Sequence, residues 1–119
     1  MHEITPTKMV FRRWRNDEQE LIALMPEEPA DPNGSLCQSY MHVGQHGAAD
    51  YEHVMAETVP VSRESVDSDL LQLMDELKER GYRIVWRERC TPAMRHARWW
   101  EADRMSGRVI RWGKNRRTA

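Results

Sequence analysis

Between Val66 and Arg80 the apolar residues Val66, Leu70, Leu73, Met74 and Leu77 recur at spacings of three and four. That spacing draws one apolar stripe down a helix and leaves Asp67, Asp69, Glu76, Lys78 and Glu79 outside it. Ser65 is placed to cap the first turn, Asp67 and Asp69 suit the positive end of the helix dipole, and Gly81 supplies a left-handed stop. An alternating segment follows at once, with Tyr82, Ile84 and Trp86 set against Arg83, Val85, Arg87 and Arg89 in a strand running to Cys90. Helix and strand joined by one glycine must lie against each other, so the chain is committed to a sheet covered by at least this helix.

Upstream, Lys8 to Arg15 (KMVFRRWR) reads as a strand with Met9 and Phe11 on one side and Val10 and Trp14 on the other. Asn16 and Asp17 supply turn chemistry, and the continuous apolar run Leu21 to Met25, ended by Pro26, predicts an antiparallel partner buried on both faces. Glu27 to Gly34 (EEPADPNG) predicts a loop. Leu36 to Val43 predicts a third strand, with Cys37, Ser39, Met41 and Val43 on one side and Leu36, Gln38, Tyr40 and His42 on the other. Residues 44–61 have no clean period and are expected to form a structured loop with room for one helical turn. The order is β-β-β-α-β: an α+β fold with a small mixed or antiparallel sheet and one main helix packed on a face.

Thr91-Pro92 has the form of a cap and a first-turn proline, which predicts a second helix from about Pro92 to Met105, stopped by Ser106-Gly107. The alternative is a β-hairpin over Trp99 to Trp112. With 119 residues the expectation is a single domain, its core at about 8–90 and a C-terminal extension at about 91–119. No apolar run approaches the ~18 residues of a membrane span, and the first residues lack the basic and apolar regions of a signal peptide, so the expected compartment is the cytoplasm. Cys37 and Cys90 have no CxxC spacing, which argues against a disulfide scaffold and a four-thiolate zinc site.

A net charge of −1 conceals a strong asymmetry. Residues 1–79 carry 6 basic and 16 acidic side chains, whereas residues 80–119 carry 12 basic and 3 acidic ones. Either the two parts answer each other, or one of them meets a partner of opposite sign. In the basic part Arg98, Arg104, Arg108 and Arg111 interleave with Trp99, Trp100 and Trp112. Trp and Arg dominate protein-interface hot spots, so these seven residues are the candidate contact for a protein partner or a second copy. The same chemistry, guanidinium forks on phosphates and indoles on bases, suits single-stranded nucleic acid or RNA.

The densest reactive cluster is Cys37, Tyr40, His42, His46, Asp50, Tyr51 and His53. Glycines at 44 and 47 let the backbone fold back, so His42, His46 and His53 are candidate ligands of a zinc or iron ion, three being the number that leaves a coordination position open. Without a helix and an intervening Glu, the HxxxH spacing alone is a weak pointer, and a polar loop satisfying its own amides is the competing account. Cys37 as a nucleophile is disfavoured, because Cys37 and His42 alternate to opposite faces. No dinucleotide fingerprint, phosphate-binding loop, nucleophile elbow or calcium loop is present.

The stretch LIALMPEEPADPNGSLCQSYMHVGQHGAADY (Leu21 to Tyr51), with the helix and the GYRIVWRER strand after it, resembles a family of small uncharacterised proteins of bacteria, phages and other mobile elements. Its pattern C-x-S-Y-x-H-V-G-Q-H-G-x-A-D is matched here by Cys37, Ser39, Tyr40, His42, Val43, Gly44, Gln45, His46, Gly47, Ala49 and Asp50. The resemblance implies a mobile-element setting, in which small single-domain proteins bind and block a host component. It carries no activity with it.

Overall fold

Two long strands form the centre of the sheet. In the computed structural model, which describes residues 6–16, 18–41, 45–62, 64 and 67–106, β1 (Pro6–Trp14) runs antiparallel to β2 (Leu21–Pro29) with Val10 opposite Leu24 and Arg13 opposite Leu21. β2 continues through Pro26, where the sequence predicts an end. It does so because its register with β3 (Cys37–Tyr40) slips between Met25 and Pro29, and an irregular stretch tolerates a residue without an N–H.

Within the stretch 44–61 expected to be a loop, the described residues 45–61 are more regular than that. They hold β4 (His46–Ala49), α1 (Tyr51–Glu57) and β5 (Thr58–Pro60). Asp50 caps α1 by accepting from the His53 N–H, and buried Arg12 closes its other end by donating to the Met55 and Thr58 carbonyls at 3.2 and 2.8 Å. A guanidinium at a helix C-terminus both satisfies orphan carbonyls and complements the dipole.

The main helix is α2 (Ser68–Glu79), capped by Asp67, whose carboxylate accepts from the Leu70 N–H. The cap is thus Asp67; Ser65 and Val66, which the sequence assigns to the helix start, lie outside the described residues. Gly81 takes φ +98° as the stop requires, and β6 (Arg83–Arg87) follows. β6 runs parallel to β1, with Arg83 opposite Pro6 and Arg87 opposite Val10, while β5 pairs antiparallel with the second half of β1. The sheet order is therefore β4-β3-β2-β1, with β5 and β6 sharing the far side of β1. The fold is α+β, and among the described residues its sheet is mixed through β6 alone.

Period-two alternation sorts the core into two faces. Met9, Phe11, Ala23, Met25 and Tyr40 pack with Leu70, Leu73 and Leu77 of α2, and Tyr82, Ile84 and Trp86 close this layer. Val10, Ile22, Leu24, Cys37 and Ala49 pack on the opposite face with Tyr51 and Val54 of α1. Each buried leucine of α2 contributes roughly 2 kcal/mol from removal of apolar surface. α3 (Pro92–Met105) lies along β2 and follows the predicted bounds. Trp99 to Met105 is helical, so the hairpin alternative fails there; Gly107 to Trp112 lies outside the described residues.

Candidate interaction surface

α3 begins at Thr91, whose hydroxyl accepts from the Met94 N–H at 3.2 Å, with Pro92 in the first turn where no N–H is needed. Met94, Arg98 and Ala102 recur at four-residue spacing and point inward. Arg98 is 4 % exposed. Its Nε donates to the Gly34 carbonyl at 2.8 Å and its Nη1 to the Pro26 carbonyl at 2.7 Å. Pro26 sits in the register slip, so its carbonyl is one that the β2–β3 ladder leaves to a side chain. Arg98, expected among the partner-binding residues, is instead an internal clamp between α3, the slip in β2 and the loop at Gly34.

That loop is shaped for the helix. Asp31 accepts from the Leu36 N–H and the Ser35 hydroxyl, and Gly34 takes φ +72°. A Cβ on Gly34 would lie 2.9 Å from Trp99 Cδ1 and 3.2 Å from Ala102 Cβ, so only glycine lets the loop come this close.

With Arg98 turned inward, its neighbours turn outward: Trp99 is 41 %, Trp100 46 % and Met105 69 % exposed. Trp100 borders a shallow depression with Ala97, Glu101 and Arg104 from α3 and Glu27 and Glu28 from β2. Burial, together with Glu101 and Glu27, raises the Glu28 carboxyl above its ordinary value. Arg104 forks onto Glu101 at 2.7 and 2.8 Å, and Arg95 pairs with Glu52 of α1 at 2.5 Å. The described outer face of α3 is therefore indole and thioether surface beside guanidinium–carboxylate pairs. Arg108, Arg111 and Trp112 lie outside the described residues. Glu27 and Glu28, which the sequence places in a loop, adjoin Trp100; the continuation of β2 past Pro26 brings them there.

Of the three candidate ligands, His46 and His53 stand on opposite faces of the sheet. His46 stands on the α2 side of the sheet, edge-on to Tyr40 with ring centroids 4.8 Å apart, and its Nε2 shares a 3.1 Å hydrogen bond with the Tyr82 hydroxyl. His53 is an exposed residue of α1, the helix on the other face, and His42 lies outside the described residues. Among the described residues no three His, Cys, Asp or Glu side chains gather as metal ligands would. Tyr40 itself is fully buried, donates to Glu76 Oε1 at 2.6 Å and accepts from Arg80 Nε at 3.1 Å. This arrangement ties β3 to α2.

Neither cysteine is poised for attack. Burial pushes the Cys37 thiol up to about 11, against the opposing pull of Arg98, and burial also raises that of Cys90. No helix among the described residues is long and apolar enough to cross a membrane. No family model, curated protein or solved structure matches the chain.

Proposed function

We propose that this protein acts by binding another protein through the outer face of α3, with Trp99 and Trp100 as the anchors. The observation that carries the reading is the adjacent pair of half-exposed indoles on a helix whose inner face is fixed by the Arg98 clamp. Large aromatic surface held rigid before binding loses little entropy on association, the property of an interface hot spot. The basic residues of the described helix support a protein partner over a nucleic acid, since Arg98 is internal and Arg95 and Arg104 are already paired with carboxylates. The resemblance to phage and mobile-element proteins extends the reading to an accessory protein that blocks a host component.

Affinity capture by the full chain, followed by titration of the captured protein, tests this. Trp99→Ala and Trp100→Ala should each weaken binding about 30-fold, the equivalent of ~2 kcal/mol for a hot-spot tryptophan. Unchanged affinity in variants that keep the wild-type circular dichroism overturns it.

A further inference from the structure

The two outer sides of the sheet are treated differently. On the far side of β1, β5 ends in Pro60 and β6 carries Arg83 and Arg87 at its ends, devices that discourage a further strand. β4, at the other side, reads His-Gly-Ala-Ala, with neither proline nor a charged carboxylate, lysine or arginine within it. Its register with β3 is unbroken, from Cys37 opposite Ala49 to Tyr40 opposite His46. Gln45, His46, Gly47 and Ala48 are all exposed.

Which backbone groups face outward follows from one hydrogen bond. The Met41 N–H donates to the Gln45 carbonyl at 3.1 Å, so residues 41 and 45 are a bonded pair of the antiparallel ladder. Alternation then turns Gly47 and Ala49 inward to β3 and leaves the N–H and C=O of His46 and Ala48 pointing out from the sheet.

We infer that β4 is a homodimer edge, pairing antiparallel with β4 of a second copy about a two-fold axis through Gly47. In that register His46 of each copy lies opposite Ala48 of the other, and the two outward pairs exchange four backbone hydrogen bonds. The two Gly47 residues meet at the intervening non-bonded position, where antiparallel strands approach closest, about 4.5 Å between Cα atoms, and where the smallest residue fits best. The His46 ring, held aside by Tyr40 and Tyr82, faces only the Ala48 methyl across the junction, and Gln45 faces Ala49. No like charges oppose each other between residues 45 and 49. A closed two-fold contact of this kind uses the same patch twice. The occupant that matches β4 in size, charge and register is thus β4 itself.

Sedimentation equilibrium of the full chain over a wide concentration range tests the inference. Wild-type protein should approach twice the chain mass. Ala48→Pro removes one outward N–H and no bond to β3, and Gly47→Lys sets two ammonium groups against each other, while its Cβ meets nothing nearer than Ser39 Oγ at 3.6 Å. Both variants should remain monomeric with the wild-type circular dichroism, and Trp100→Ala should dimerise as wild type does. A wild-type chain that stays monomeric up to about 1 mM, a dimer indifferent to both β4 substitutions, or a dimer abolished by Trp100→Ala would each overturn the proposal.

Discussion

Arg98 shows how a single side chain can belong to the interior while its neighbours belong to the surface. Within a segment crowded with arginine and tryptophan, nothing local distinguishes it from Arg95 or Arg104. Its partners are the carbonyls of Gly34 and Pro26, 64 and 72 positions away, and those carbonyls are available only because a loop folds tightly and a strand slips register. Composition therefore identified the tryptophan-rich helix as a surface and assigned Arg98 to it, since long-range acceptors leave no mark on local sequence. Arg98→Ala strands two buried carbonyls and should lower unfolding free energy in urea by about 2–4 kcal/mol. Arg98→Lys, with one ammonium in place of a fork, should recover only part of that loss.

At the level of elements, legibility followed length. α2 and α3 run 12 and 14 residues, and each announces itself by an apolar stripe or by cap chemistry at its start. β4, α1 and β5 run 4, 7 and 3 residues, and α1 buries only Tyr51 and Val54, too few positions to establish a period. Their order comes instead from contacts with the sheet: Asp50 caps α1 locally, but Arg12 closes it from β1, 43 positions away from Met55. The start of α2 is held in a comparable way, since Asp67 both accepts from the Leu70 N–H and pairs with Arg13 of β1 at 2.9 Å. Asp67→Ala should cost about 1 kcal/mol, the usual value of an N-cap. Asp67→Asn keeps the capping oxygen and loses only the exposed ion pair, so thermal unfolding should place it within ~0.5 kcal/mol of wild type.

For the molecule as a whole, stability and pH are coupled through the interior. The Cys37 thiol ionises at about 11 in the fold against an ordinary value of 9.0. A raised folded pKa means that its contribution is fully present below about pH 9; above that the unfolded chain ionises first, and stability declines until the folded thiol ionises too. The loss between pH 9 and 11 should be about 2–3 kcal/mol. Burial raises Tyr51, Tyr82 and Cys90 in the same direction, so the measurement is the difference between the urea-derived pH profiles of wild type and Cys37→Ala, the latter being flatter in that window. The sequence predicted the α+β class, both face assignments of β1 and the helix-glycine-strand unit, all of which rest on short-range periodicity. It left open which strand β6 would join, because pairing across the length of a chain is decided by closure of the sheet. That closure carries a consequence for synthesis. β1 is made well before its parallel neighbour β6, since Pro6 pairs with Arg83 and Val10 with Arg87, so Met9 and Val10 wait for all the intervening residues to be made before that side of β1 is covered. Contacts this distant are slow to form, and the nascent sheet is thus exposed to misassociation until they do.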